Sequence, residues 1–251
     1  MSTSNRAVLV TGASRGIGAA IARAFAATGD RVAVHYSAAA DLAEDVVASL
    51  EGSGHVAVQA DLTDPASILS MVDEAAAALG GIDVLVNNAG VFHHHTIEDS
   101  TYEEWQQAWA ETLGVNLVGA ANVTWCALRH MPRQSGSRIV NVGSRGAFRT
   151  EPHAPAYGAS KAGIASFGQS LAKALGVQGI AVTTLAPGFV DTEMAASSLA
   201  EKGDEIRGQS PFNRVPTAEE VAGAVLFLAS PEAEWASGSV LDFNGASWFR
   251  L

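Results

Sequence analysis

The sequence predicts an α/β fold, a doubly wound sheet of about seven parallel strands with helices on both faces. Short β-branched runs alternate with longer alanine-rich stretches of helical period along the whole chain. Several runs, such as Ala7-Val8-Leu9-Val10, are apolar at consecutive positions instead of alternating, which marks strands of a parallel sheet covered on both sides. The first run is followed at once by "TGASRGIG" at 11–18, a glycine-rich turn placed where such a sheet binds ligands, at a strand's carboxyl end.

Taken in order, the first strand is expected over 6–10, and the turn stops it with residues that stabilise neither strand nor helix. A helix over 16–28 and a strand over 31–35 follow, then a helix over 39–51 and a strand over 55–60. Asp64-Pro65 precedes the next helix, 65–79, with proline at a first-turn position that needs no N–H. A strand over 82–86 leads to a long helix over 101–131, a strand over 138–142, a helix over 156–177 and a strand over 180–186. In 191–216, Gly203, Gly208, Pro211 and Pro216 break up a polar, charged stretch, so this region is expected as a substrate flap. A helix over 217–229 and a strand over 239–243 complete the chain. Right-handed crossovers join the strands, and residues 1–251 are expected as a single domain.

Composition narrows the function. No apolar run reaches the roughly 18 to 20 residues that cross a bilayer, and Met1-Ser2-Thr3-Ser4-Asn5-Arg6 contains no export h-region, so a cytoplasmic location is expected. A net charge of −11 disfavours nucleic acid or an anionic membrane as partner. The single cysteine, Cys126, has apolar neighbours and reads as a core thiol. Glycines 12, 16 and 18 let the backbone turn sharply and approach a pyrophosphate, which the N–H groups of the following helix can then hold.

Four further segments extend this pattern: "NNAG" at 87–90, Ser144, "YGASK" at 157–161 and "PGFVDT" at 187–192. With the glycine turn they make the chain resemble the short-chain dehydrogenase/reductase family over essentially its whole length, closest in pattern to bacterial β-ketoacyl-carrier-protein reductases. That resemblance implies a Rossmann-type sheet and an oxidoreductase that moves a hydride between nicotinamide and a carbonyl or secondary alcohol. The residues support the chemistry independently. Carbonyl reduction needs a proton donor at the developing alkoxide, and no zinc ligands of convincing spacing are present. Tyr157 can supply the proton if its pKa, ordinarily about 10, falls by about 2 to 3 units. Lys161, one helical turn away, favours the phenolate. Ser144 can donate to the substrate oxygen. By resemblance, Asn116 bends its helix and holds a water beside Lys161, which completes a catalytic set of Asn116, Ser144, Tyr157 and Lys161.

NAD-preferring members carry aspartate at the end of the second strand, where this chain has Tyr36 followed by Ser37. Arg15 in the glycine loop can pair with a 2′-phosphate and Ser37 can hydrogen-bond to it, so NADP(H) is expected over NAD(H). Ser14 and Ile17 of the loop join the expected cofactor contacts, as does Tyr36 at the end of the second strand. The resemblance adds Asp61 and Leu62 at the adenine, Asn87, Ala89 and Gly90 along the adenine ribose, and Pro187, Gly188, Val190 and Thr192 at the nicotinamide, with Tyr157 and Lys161 also facing the cofactor. Asp61 otherwise belongs to the start of the helix after it. The triplet His93-His94-His95 lies near the mouth of the site; adjacent loop histidines rarely converge on one ion, so no metal is expected. Substrate contact and plain surface placement both remain open for it, as they do for Phe148 and His153. The ending "FNGASWFRL" departs from the aspartate-glycine-glycine ending common in the family. The substrate is expected to be a small ketone or β-ketoacyl-type molecule. The alternatives are an NAD(H)-dependent alcohol, polyol or sugar dehydrogenase and a non-catalytic nucleotide sensor, which would not need Tyr157 and Lys161. A homotetramer is the assembly that the resemblance implies.

Overall fold

The computed structural model describes residues 5–133 and 136–250, so Met1 to Ser4, most of the segment read for an export signal, lie outside it. Seven strands form one sheet: β1 (Ala7–Val10), β2 (Arg31–Tyr36), β3 (Val56–Gln59), β4 (Val84–Asn87), β5 (Arg138–Val142), β6 (Ala181–Pro187) and β7 (Val240–Phe243). Their order is β3-β2-β1-β4-β5-β6-β7, and every neighbouring pair is parallel. The chain runs outward from β1 to β3 and then returns to build the other half from β4. The crevice between the carboxyl ends of β1 and β4 is therefore the topological switch point, where open α/β sheets bind ligands.

Strand alternation sorts the core into two layers. Val8 and Val10 pack with Ile21 and Phe25 of α1 (Gly16–Ala27) and with Val221 and Val225 on the same side. Ala7 and Leu9 face Ile68, Val72, Val123 and Ile139 on the other. Each large side chain buried in this way contributes about 1.5–3 kcal/mol, so β1 holds both layers. The remaining helices are α2 (Ala40–Ala48), α3 (Pro65–Leu79), α4 (Tyr102–Leu113), α5 (Ala120–Ala127), α6 (Pro155–Leu175), α7 (Ala196–Gly208) and α8 (Ala218–Leu228). Asp64 caps α3 by accepting from the Ala66 N–H, and capping boxes Thr101/Glu104 and Thr217/Glu220 open α4 and α8. The residues before α1 and α6 provide no such side-chain cap, and both of these helices begin at the switch-point crevice.

Two elements differ from the sequence expectation. The helix expected over 101–131 is α4 and α5 joined by a π-helical turn, Gly114–Gly119, which widens the backbone around Asn116. The region expected to be irregular, 191–216, contains a short 3₁₀ turn (Glu193–Ala195) and then α7, kinked at Lys202. Along α7 only Gly203 and Ile206 are buried, so the helix carries no apolar stripe that a periodicity reading can detect.

Candidate active site

A cleft of about 450 Å³ opens at the switch point. Its floor is the loop after β1. Gly12 has φ +62, and a Cβ there would sit 2.8 Å from Ala89 Cα; a Cβ on Gly18 would sit 2.2 Å from the Gly12 oxygen. The close approach of β1, α1 and the loop after β4 therefore depends on glycine. Asn88 fixes the approach, its Nδ2 donating to the oxygens of Thr11 (2.9 Å) and Gly12 (3.0 Å). Thr11 Oγ1 in turn accepts from the Asn88 and Ala89 N–H groups. The first turn of α1 has neither a side-chain cap nor an acidic residue, so its N–H groups and positive dipole end are left to the cleft and fit the pyrophosphate of a dinucleotide.

The structure also assigns a role to His35, which sequence reading missed. Its buried ring accepts from the Gly12 N–H at Nδ1 (2.9 Å), and its Nε2 meets the Ala60 oxygen at 3.2 Å. One face of the ring thus holds the glycine loop and the other holds β3. Burial lowers its pKa to about 4, against a smaller opposing contribution from the Ala60 contact, which keeps the ring neutral as this arrangement requires. A histidine closing the apolar run Val32-Ala33-Val34 was the available signal.

Gly12, Arg15, Gly16, Ile17 and Gly18 line the cleft, as do Ser37, Asp61 and Leu62. Ala89, Gly90, Pro187, Gly188, Val190 and Thr192 line it further along. Ser14 and Asn87 stand outside the lining; the Asn87 side chain is buried, donating to Thr124 Oγ1 and Asn141 Oδ1. Tyr36 also stands outside the lining. Alternation along β2 sends its ring to the side of Val32 and Val34, where it packs on the core, and His35 and Ser37 reach the cleft instead. Arg15 is exposed, 3.4 Å from Glu193 across the cleft. Asp61 Oδ1 accepts from the backbone and hydroxyl of Thr63, which lowers its pKa.

Ser144, Tyr157 and Lys161 line the same cleft. Lys161 Nζ is buried, donates to the Val142 oxygen at 2.9 Å and lies 5.6 Å from the centre of the Tyr157 ring. Ser144 Oγ accepts from the Gly146 N–H (3.0 Å) and is hydrogen-bonded to the Tyr157 phenol, an interaction that favours the phenolate. Burial outweighs that interaction and pushes Tyr157 up to about 12, while burial pushes Lys161 down to about 8. The expected depression of the phenol is therefore reversed in the protein alone, because removing both groups from water disfavours both charged forms. Asn116 lies behind the lining in the π turn. Its Oδ1 accepts from the Val91 N–H (2.8 Å), and its Nδ2 donates to the Val91 oxygen (3.0 Å) and to Ser160 Oγ (3.2 Å).

Glu151, at the substrate side, also affects Tyr157. Burial raises its carboxyl pKa against the pull of Arg145, Arg149 and His153, and its negative charge raises the Tyr157 pKa in turn. Glu151→Gln removes that charge, so the phenol loses its proton more readily. The rise of alcohol oxidation with pH is expected to move to lower pH. A pH–rate profile checks this, and an unmoved or oppositely moved limb counts against the coupling.

The unusual chain ending packs against Arg145 and Phe148. Buried Arg145 donates to Ser247 Oγ (2.7 Å) and Gln209 Oε1 (2.9 Å) and lies over the Phe189 ring. Burial, with Arg149 nearby, lowers its pKa to about 10. Phe148 stacks on Trp248, and Arg250 lies over Phe148. The three histidines diverge: His93 pairs with Glu111 (3.2 Å), His94 meets the Phe92 ring edge-on, and His95 is buried. Among the described residues no group of three or more His, Cys, Asp or Glu side chains is placed to hold a metal ion.

Comparison with known proteins finds similar chains over nearly the whole length. The family described as Enoyl-(Acyl carrier protein) reductase matches residues 12–245. The 3-oxoacyl-[acyl-carrier-protein] reductase FabG of Escherichia coli (strain K12) is 34% identical over 248 residues, 99% of each chain. The cis-4-hydroxycyclohexanecarboxylate dehydrogenase of Sinomonas cyclohexanicum is 37% identical over 242 residues, 96% of this chain and 95% of that one. A short-chain dehydrogenase from Burkholderia cenocepacia J2315, solved in complex with NADP, superposes with a TM-score of 0.89 at 37% identity, covering 98% of this chain and 99% of that one. The fold and the relatives are those of oxidoreductases. The chain belongs to the short-chain dehydrogenase/reductase family.

Proposed function

We propose that the protein is an NADP(H)-dependent carbonyl reductase in which Tyr157 gives its proton to the substrate oxygen. The observation that carries this reading is the opening of Tyr157, Lys161 and Ser144 into the cleft whose floor is the uncapped glycine loop. The nicotinamide cofactor supplies the hydride when bound. Tyr157, held protonated by its buried setting, donates to the oxygen as negative charge builds there. Ser144 places a hydroxyl beside the phenol to orient and stabilise that oxygen. Lys161 returns a proton toward Tyr157 afterwards, a role suited to a buried amine with a pKa near 8. Asn116 holds the loop at Val91 and the helix at Ser160 in register around them.

The substrate we propose is a ketone or β-ketoacyl-type molecule entering between Phe92, Glu151 and the wall formed by 145–149 and 247–250. The relatives named for 3-oxoacyl reduction and for a cyclic hydroxycarboxylate support that class. The segment 191–216 acts as its flap: Glu193, Met194 and Ser198 already line the cleft. NADP(H) is preferred over NAD(H), since no carboxylate stands at the end of β2 and Arg15 and Ser37 line that side. A cytoplasmic homotetramer is proposed on the family resemblance, with exposed Val118, Trp125 and Trp235 as apolar surface available for assembly.

The test is a panel of ketones and β-ketoacyl thioesters with NADPH and NADH, followed by loss of reduced-cofactor absorbance. Activity with NADPH on at least one carbonyl is expected. Arg15→Ala is expected to raise the KM for NADPH roughly tenfold to a hundredfold, the worth of a charged hydrogen bond, and to leave that for NADH nearly unchanged. A native preference for NADH would overturn the cofactor assignment.

A further inference from the structure

The helix that carries Tyr157 and Lys161 begins without a cap of its own. Ala154, which precedes it, offers no side-chain acceptor, and Pro155, its first residue, has no N–H. The first N–H needing a partner is that of Ala156, next to Tyr157 in the chain. It donates to His95 Nε2 at 3.1 Å, from a residue 61 positions upstream. We infer that His95 is a positioning residue for the proton-transfer site: it caps α6 from outside and fixes the loop that walls Tyr157.

The ring is held for this role from several directions. His95 Nδ1 lies 2.8 Å from the His93 oxygen; Nδ1 therefore carries the hydrogen, and Nε2 keeps the lone pair that receives Ala156. The His95 backbone N–H donates to the His153 oxygen (2.9 Å), lacing its loop to the segment that enters α6. The residue is 3% exposed, and its ring meets Trp105 of α4 edge-on at 5.5 Å. Asn116 secures the other end of the same loop through both polar groups of Val91. Between these two anchors stands Phe92, whose ring meets Tyr157 edge-on at 5.0 Å. Loss of the His95 anchor therefore frees the first turn of α6 and the wall of the phenol together.

The inference rests on the proposed role of Tyr157, and three substitutions separate the two. His95→Gln places an amide oxygen near the position of Nε2 and keeps the cap. His95→Asn reaches only as far as Nδ1, so it keeps the contact with His93 and loses the cap. Tyr157→Phe tests the catalytic reading alone. Each is measured by kcat and KM for NADPH and ketone, by the pH profile of kcat, and by hydrogen exchange at the amides of 156–158. His95→Asn is expected to lower kcat at least tenfold, leave the KM for NADPH within about twofold, shift the pH profile and speed exchange at Ala156. His95→Gln is expected to stay within about threefold of native in kcat and to keep Ala156 protected. Unchanged exchange and kcat in a folded His95→Asn protein overturns the positioning role, as does a folded His95→Gln protein that is as impaired as His95→Asn. Full activity in Tyr157→Phe overturns the catalytic reading while leaving the exchange result to judge the cap.

Discussion

Tyr157→Phe is expected to lower the turnover of ketone reduction about a thousandfold, within the range that a positioned general acid contributes, with little change in NADPH affinity or thermal stability. The substitution removes only the hydroxyl. The ring keeps its edge-on contact with Phe92, and Lys161 keeps its bond to the Val142 oxygen, so neither the helix nor the cleft has cause to move. Ser144 and the bound substrate lose the group that supplies the proton, and no other phenol lines the cleft. Single-turnover kinetics with a fluorescence titration of NADPH separates the two quantities. A variant that binds cofactor as the native protein does and reduces ketone at a comparable rate would remove Tyr157 from the chemistry.

The second large effect is expected from Gly18→Ala. The added methyl would lie 2.2 Å from the Gly12 oxygen, 2.6 Å from Asn88 Nδ2 and 2.8 Å from Ala13 Cα. Two of these three neighbours are backbone atoms, so no side-chain rotation relieves the clash, and α1 must move away from β1. That movement breaks the Asn88 bonds to Thr11 and Gly12 and shifts the N–H groups that face the phosphates. Overpacking of this kind costs about 1–3 kcal/mol, a fall in Tm of roughly 3–10 °C for a chain of this size. Loss of NADPH binding by at least a hundredfold is expected alongside it. Calorimetry and a binding titration check both, and native-like binding would show that the loop tolerates the displacement.

The sequence revealed the parts of the molecule that are encoded locally. Consecutive apolar residues in β1, the glycine turn, and the spacing from Tyr157 to Lys161 depend on near neighbours, and they lie in the sheet or line the cleft. The missed features depend on distant partners. Tyr36 stands at the strand end, but side-chain alternation turns its ring onto the core and His35 toward the glycine loop. Helix α7 lacks an apolar stripe because it buries little, only Gly203 and Ile206. The cap on α6 comes from His95, which no local rule connects to Pro155. The direction of the Tyr157 shift depended on weighing burial against a neighbouring charge, and burial follows from the whole fold.

The central claim is that the phenol of Tyr157 exchanges a proton with the substrate oxygen as hydride moves. Single-turnover rates measured against pH in both directions, in the native protein and in Tyr157→Phe, test it most directly. Oxidation of the alcohol is expected to rise and reduction of the ketone to fall with increasing pH, with both trends absent from the variant. Trends that persist unchanged in Tyr157→Phe would assign the proton to another group and contradict the account.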